Sequence, residues 1–273
     1  MLTAVYDLAV SPPTFDFVSF LVSAERERLR QGKAHIRVLI AAGPDHGFRR
    51  DELPPRDPAE RRRMLDNIVL PMCGLLPSVV AVEEWEAHEI KACDFPAEWT
   101  PRTRMNNCYS TDLMVQAWKK RCFPLTAGVT EHTDEITITL RESEYWPSRN
   151  SNVPAWMELA GELRARGENV RVIHHNDFPH VRDRAQVYER AKLNLFVNNG
   201  PAAFAYFMPR ARCLVFKMVT EGVPCAGAKF FAGIGFPVGS QIGREGCRIV
   251  WEDDDAETIA RETIRELEEY EHG

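Results

Sequence analysis

Along nearly its whole length the chain alternates short β-branched and aliphatic runs with segments whose apolar residues recur every three or four positions. That alternation constrains the fold more than any single motif. Strands separated by helices cannot pair through tight hairpins, so they pair in parallel through crossovers, and right-handed βαβ units then bury both faces of the sheet. The expectation is an α/β protein with parallel sheets, and ligands of such sheets gather outside the carboxyl ends of the strands.

Residues 2–10 read as a buried strand, 15–29 as a helix after Ser11-Pro12-Pro13-Thr14, and 35–42 as a second strand. A helix over 57–73 and a short strand over 78–82 follow, then a Trp- and His-containing stretch to residue 100 with no clear period, and partial helix over 104–122. Pro, Gly and charge in 124–134 mark the boundary between two halves, 1–125 and 126–273. In the second half, strands at 135–140, 170–174, 193–197 and 213–218 alternate with helices at 153–166, 183–191 and 201–209. The glycine-rich stretch 222–246 reads as loops, 248–251 as a last strand and 253–270 as a charged amphipathic helix. The architecture expected is two Rossmann-like βαβ halves facing each other across a cleft.

With 44% hydrophobic residues, the 273-residue chain can bury a substantial core. A net charge of −6 gives no basic field for a phosphate backbone, so nucleic acid is not an expected partner. The one dense basic run, Arg61-Arg62-Arg63, reads as a solvated helix face. Seven cysteines without a Cys-x-x-Cys pair suggest reduced thiols and a cytoplasmic location. No stretch approaches the roughly 18 apolar residues of a membrane span, which leaves peripheral membrane contact open.

Four loops that follow strands carry the candidate chemistry. In the first, Ser11 and Thr14 stand at a helix start able to meet an anion or a sugar hydroxyl, and Asp16 is the candidate general base; a plain cap with a proline-fixed turn is the simpler reading of the same residues. The second, 43–50, offers His46 and Arg49 for acceptor recognition, or is a surface bend. In the third, Arg141, Ser143, Arg149 and Asn150 precede a helix, and guanidinium forks with helix-end N–H groups suit a diphosphate. In the fourth, Asn198-Asn199-Gly200-Pro201 turns a buried strand sharply into a helix. Neither a Gly-x-Gly-x-x-Gly fingerprint after the first strand nor a P-loop occurs. His174, His175, Asp177 and His180 fit a structural or solvated role better than a metal site, and no metal is assigned.

Residues 136–146, the helix 156–166 with Gly167, and 193–204 with its Asn198-Asn199-Gly200-Pro201 turn together resemble the donor-binding half of GT-B-fold glycosyltransferases, and within them the heptosyltransferase-like group. The resemblance covers about half the chain. It implies a nucleotide-sugar as donor substrate rather than a cofactor, bound through its diphosphate by these loops. It further implies a glycan or small-molecule acceptor held by the N-terminal half, which also supplies an acidic base. A catalytically silent nucleotide- or sugar-binding protein, and a nucleotide-sugar epimerase or hydrolase, are the alternatives on the same fold.

Overall fold

The computed structural model describes residues 1–50, 56–104 and 110–272. The chain divides into two compact units: residues 1–128 with 179–184, and residues 129–178 with 185–273.

The first unit opens with β1 (Leu2–Asp7), α1 (Phe17–Arg30) and β2 (Ile36–Ala41). Then come α2 (Pro58–Met64), a π turn over Leu65–Val69, α3 (Leu70–Cys73), β3 (Val79–Trp85) and α4 (Thr111–Lys119). The strands form a parallel sheet in the order β1-β2-β3. One sheet face packs on α1, where Tyr6 meets Phe17 edge-on with ring centroids 4.8 Å apart. On the other, Val5, Leu39 and Ala41 meet Ala87, Ile90 and Trp99, which gives the aperiodic stretch its place. Residues 94 and 95 run along the free edge of β1, with Val5 N–H donating to the Phe95 carbonyl at 2.8 Å.

The single helix expected over 57–73 is interrupted, for a physical reason. Pro71 has no N–H to donate and its ring crowds the carbonyl four residues earlier, so the helix widens by one π turn just before it. Arg61 also departs from expectation: it is only 4% exposed and shares the inward face with Leu65 and Ile68. Arg62 and Arg63 alone form the exposed basic face.

The second unit contains β4 (Glu135–Thr139), α5 (Val153–Ala165), β5 (Asn169–Ile173), the C-terminal part of α6 (Val181–Arg190) and β6 (Leu193–Val197). It continues with α7 (Gly200–Ala205), β7 (Cys213–Phe216), α8 (Ala228–Gly233), β8 (Cys247–Ile249) and α9 (Ala256–His272). All five strands are parallel, in the order β5-β4-β6-β7-β8. One face is an apolar core between β4, β6, β7 and helices α5 and α9, centred on Trp156, Leu159, Leu195 and Phe216. The other carries a buried polar ladder: Thr137 Oγ1 donates to Asn194 Oδ1 at 2.7 Å, and Asn194 Nδ2 donates to the carbonyls of Tyr188 and Arg212.

The glycine-rich stretch read as loops contains α8, because Phe231 is buried edge-on against Trp251 at 5.6 Å. Both units are mixed α/β with parallel sheets. Among the described residues no helix is long and apolar enough to cross a membrane.

Candidate functional site

In the second sheet the chain leaves β4 first to β5 and later to β6 on its opposite side. Crossovers therefore diverge between β4 and β6, and the loops leaving the carboxyl ends of these two strands flank a topological switch point, where open α/β sheets open a crevice. Those loops are the third and fourth candidates of the sequence.

Arg141 follows β4 directly and is 9% exposed. Its guanidinium donates to the carbonyls of Tyr145 and Trp146 and to Asn150 Oδ1, which leaves two of its five donors uncommitted. Asn150 in turn grips Ser143: its Oδ1 accepts from Ser143 N–H and its Nδ2 donates to the Ser143 carbonyl, both at 3.0 Å. Ser143 Oγ accepts from Tyr145 N–H at 3.1 Å. Arg141, Ser143 and Asn150 thus hold the loop in shape. Burial, with repulsion from Arg149 added, pushes the Arg141 guanidinium down to about 10, still far enough above neutrality to keep its charge.

Arg149 joins the two loops. Its Nη2 donates to the Asn198 carbonyl at 3.0 Å, while its Nε is buried without a hydrogen-bond partner. Among the described residues neither Arg141 nor Arg149 pairs with a carboxylate. Asn198 is fixed by its Nδ2 donating to the Met218 carbonyl at 3.0 Å. Asn199, 6% exposed, caps α7 by accepting Ala202 N–H at 2.8 Å, and its Nδ2 has no partner. Gly200 and Pro201 form the first turn of α7. Two unpaired guanidiniums, a buried orphan Nε and a buried orphan amide therefore cluster on these two loops.

One expected element is taken. The N-terminus of α5, read as a possible phosphate seat, holds the carboxylate of Asp254 instead: Asn152 N–H donates to its Oδ2 at 2.6 Å and Trp156 Nε1 at 2.9 Å. Lys217 closes the group by donating to Asp254 Oδ1 at 2.9 Å, so it too is committed. Nothing local announces this, because Asp254 lies 102 residues from Asn152.

The first-unit candidates are arranged differently. Ser11 is buried and its N–H donates to the Asp7 carbonyl at 2.8 Å. Thr14 Oγ1 donates to Asp16 Oδ2 at 2.7 Å, and Asp16 is an exposed residue at the start of α1 with no side-chain capping bond. In the second loop, Gly43 N–H bonds the Gly47 carbonyl at 2.7 Å. Arg61 reaches in to donate to Asp45 Oδ2 at 2.8 Å and to the Arg49 carbonyl at 2.9 Å, with Phe48 under its guanidinium. His46 stands exposed at positive φ.

Sequence reasoning passed over Asp7, the last residue of β1. Its buried carboxylate accepts both Nε and Nη2 of Arg104, Trp99 Nε1 at 2.8 Å and Ala9 N–H at 2.9 Å. Arg104 Nη2 also donates to the Ala42 carbonyl at 2.6 Å, tying the ends of β1 and β2 together. A carboxylate closing an otherwise apolar strand was the available signal.

Among the described residues no group of three or more His, Cys, Asp or Glu is placed to hold a metal ion, and His174 Nδ1 lies 3.0 Å from Glu142 Oε2. No protein-family model matches the chain, and no curated protein matches it. What the second-unit loops can do follows from charge: fixed guanidiniums without counter-ions and a spare amide donor suit an anion with several oxygens.

Proposed function

We propose that the chain is a glycosyltransferase of the GT-B type, whose second unit holds the diphosphate of a nucleotide-sugar and whose first unit serves the acceptor. The observation that carries this reading is Arg149. It bonds the Asn198 carbonyl across the switch point while, among the described residues, its buried Nε has no hydrogen-bond partner and its charge no carboxylate. Leaving such a group unsatisfied costs about 1–3 kcal/mol, which an anionic ligand recovers on binding. In this role Arg149 meets the phosphate oxygens, Arg141 holds the loop and adds charge, and Asn199 Nδ2 supplies a further donor. Stabilising the leaving diphosphate is the step for which such a donor set is useful.

The test is to incubate the chain with nucleotide-sugars and an acceptor pool and to follow nucleoside diphosphate release. Release that requires acceptor and falls about tenfold or more in Arg149→Ala supports transfer. Release without acceptor indicates hydrolysis. A silent binding protein is the second reading, and one observation favours it: the candidate base Asp16 is exposed and tied to its own turn through Thr14. It predicts donor binding with no release under any condition.

A further inference from the structure

Helices α1 and α4 of the first unit pack side by side and leave a groove of about 540 Å³ between them, within the ~300–1,000 Å³ range of small-molecule sites. Its apolar lining comes from Leu29, Phe95 and Leu113. Its cations are Arg26, Arg30, Lys120 and Arg121, and among the described residues its only carboxylate is Glu27. Arg30 holds Glu27 through two hydrogen bonds of 2.7 and 2.6 Å, so these two charges cancel. Among the described residues the Arg26, Lys120 and Arg121 side chains form no ion pair or hydrogen bond, leaving three uncompensated positive charges in a chain of net charge −6.

A second observation points the same way. Ser23 lines this groove, is 6% exposed, and among the described residues its hydroxyl has no hydrogen-bond partner. A mid-helix serine ordinarily returns its hydroxyl to the carbonyl one turn earlier, and a buried hydroxyl with no bond is costly. We propose that the α1–α4 groove binds a phosphate monoester bearing an apolar chain, its phosphate received by Arg26, Lys120, Arg121 and the Ser23 hydroxyl, its chain laid on Leu29, Phe95 and Leu113. The charge count selects phosphate. A monoester carries nearly two negative charges at neutral pH and three acceptor oxygens, matching three cations and a hydroxyl better than a carboxylate does. The site lies wholly within the first unit and does not depend on the nucleotide-sugar reading of the second.

The experiment titrates the full chain by calorimetry with octyl phosphate below its aggregation concentration, and separately with inorganic phosphate and with 1-octanol. Octyl phosphate binds, and each of the other two binds about tenfold or more weakly, because each supplies only half of the recognition. The exposed double variant Lys120→Gln/Arg121→Gln weakens octyl phosphate by about tenfold or more, Ser23→Ala by a few-fold, and Arg63→Gln, which is outside the groove, leaves it unchanged. Inorganic phosphate or octanol binding as tightly as the ester overturns the proposal. So does wild-type affinity in the double variant. Co-sedimentation with phosphatidylcholine–phosphatidylglycerol vesicles, without binding of the soluble ester, would mean that the face meets a bilayer surface and would equally overturn it.

Discussion

Asp254 shows how much one side chain can organise. It closes the N-terminus of α5, satisfies the Trp156 indole and neutralises Lys217, all from a position only 1% exposed. Asp254→Ala strands the Asn152 and Trp156 donors and leaves the Lys217 ammonium only its longer contact, 3.3 Å to the exposed Asp253, so a loss of about 2–3 kcal/mol is expected by urea denaturation. Glu27 gives a pH signature instead. The Arg30 fork holds its carboxyl at about 2, against an opposing effect of burial and with help from Gln31. Because this value is depressed in the folded chain, the contribution to stability is present above the ordinary carboxylate range near 4.5 and disappears as pH falls through about 2. Denaturation midpoints measured between pH 5 and pH 2 should fall less steeply in Arg30→Ala than in the wild type, and high salt should narrow the difference.

At the level of elements, much was legible. Alternating apolar runs placed all eight strands of the described residues to within a few positions, since a buried parallel strand and an amphipathic crossover helix have distinct periods. Interruptions were harder: the π turn ahead of Pro71 and the helix inside the glycine-rich stretch are decided by tertiary packing. Caps separate structure from function cleanly. Asn199→Asp keeps an oxygen for Ala202 N–H, so stability should stay within about 0.5 kcal/mol of wild type, whereas Asn199→Ala should cost about 1 kcal/mol. Asn199→Asp also replaces the spare amide donor with a negative charge, and should abolish diphosphate binding while the fold persists. In the second loop, a Cβ on Gly43 would lie 2.3 Å from the Phe48 backbone. Gly43→Ala therefore forces the turn apart, and a loss of about 2 kcal/mol or more by thermal or urea unfolding is expected.

For the chain as a whole, parallel pairing followed from the sequence but strand order did not. Each crossover can pass to either side of the strand it leaves, and only the observed order β5-β4-β6-β7-β8 puts the loops of Arg149 and Asn198 beside one another. From the sequence Arg141 and Arg149 read alike as phosphate contacts, whereas in the structure most of the Arg141 fork is bound within its own loop and Arg149 has the donors to spare. Asp254 at the start of α5 was invisible for want of any local pattern. The central claim is that Arg149, held at the switch point without a counter-ion, receives a diphosphate. The most direct measurement is calorimetric titration of the wild type and Arg149→Gln with uridine, guanosine, adenosine and cytidine diphosphates. At least one of these should bind the wild type and lose about tenfold or more in affinity in the variant, with unfolding midpoints unchanged. Equal affinity in both proteins, or no diphosphate bound by the wild type, would contradict it.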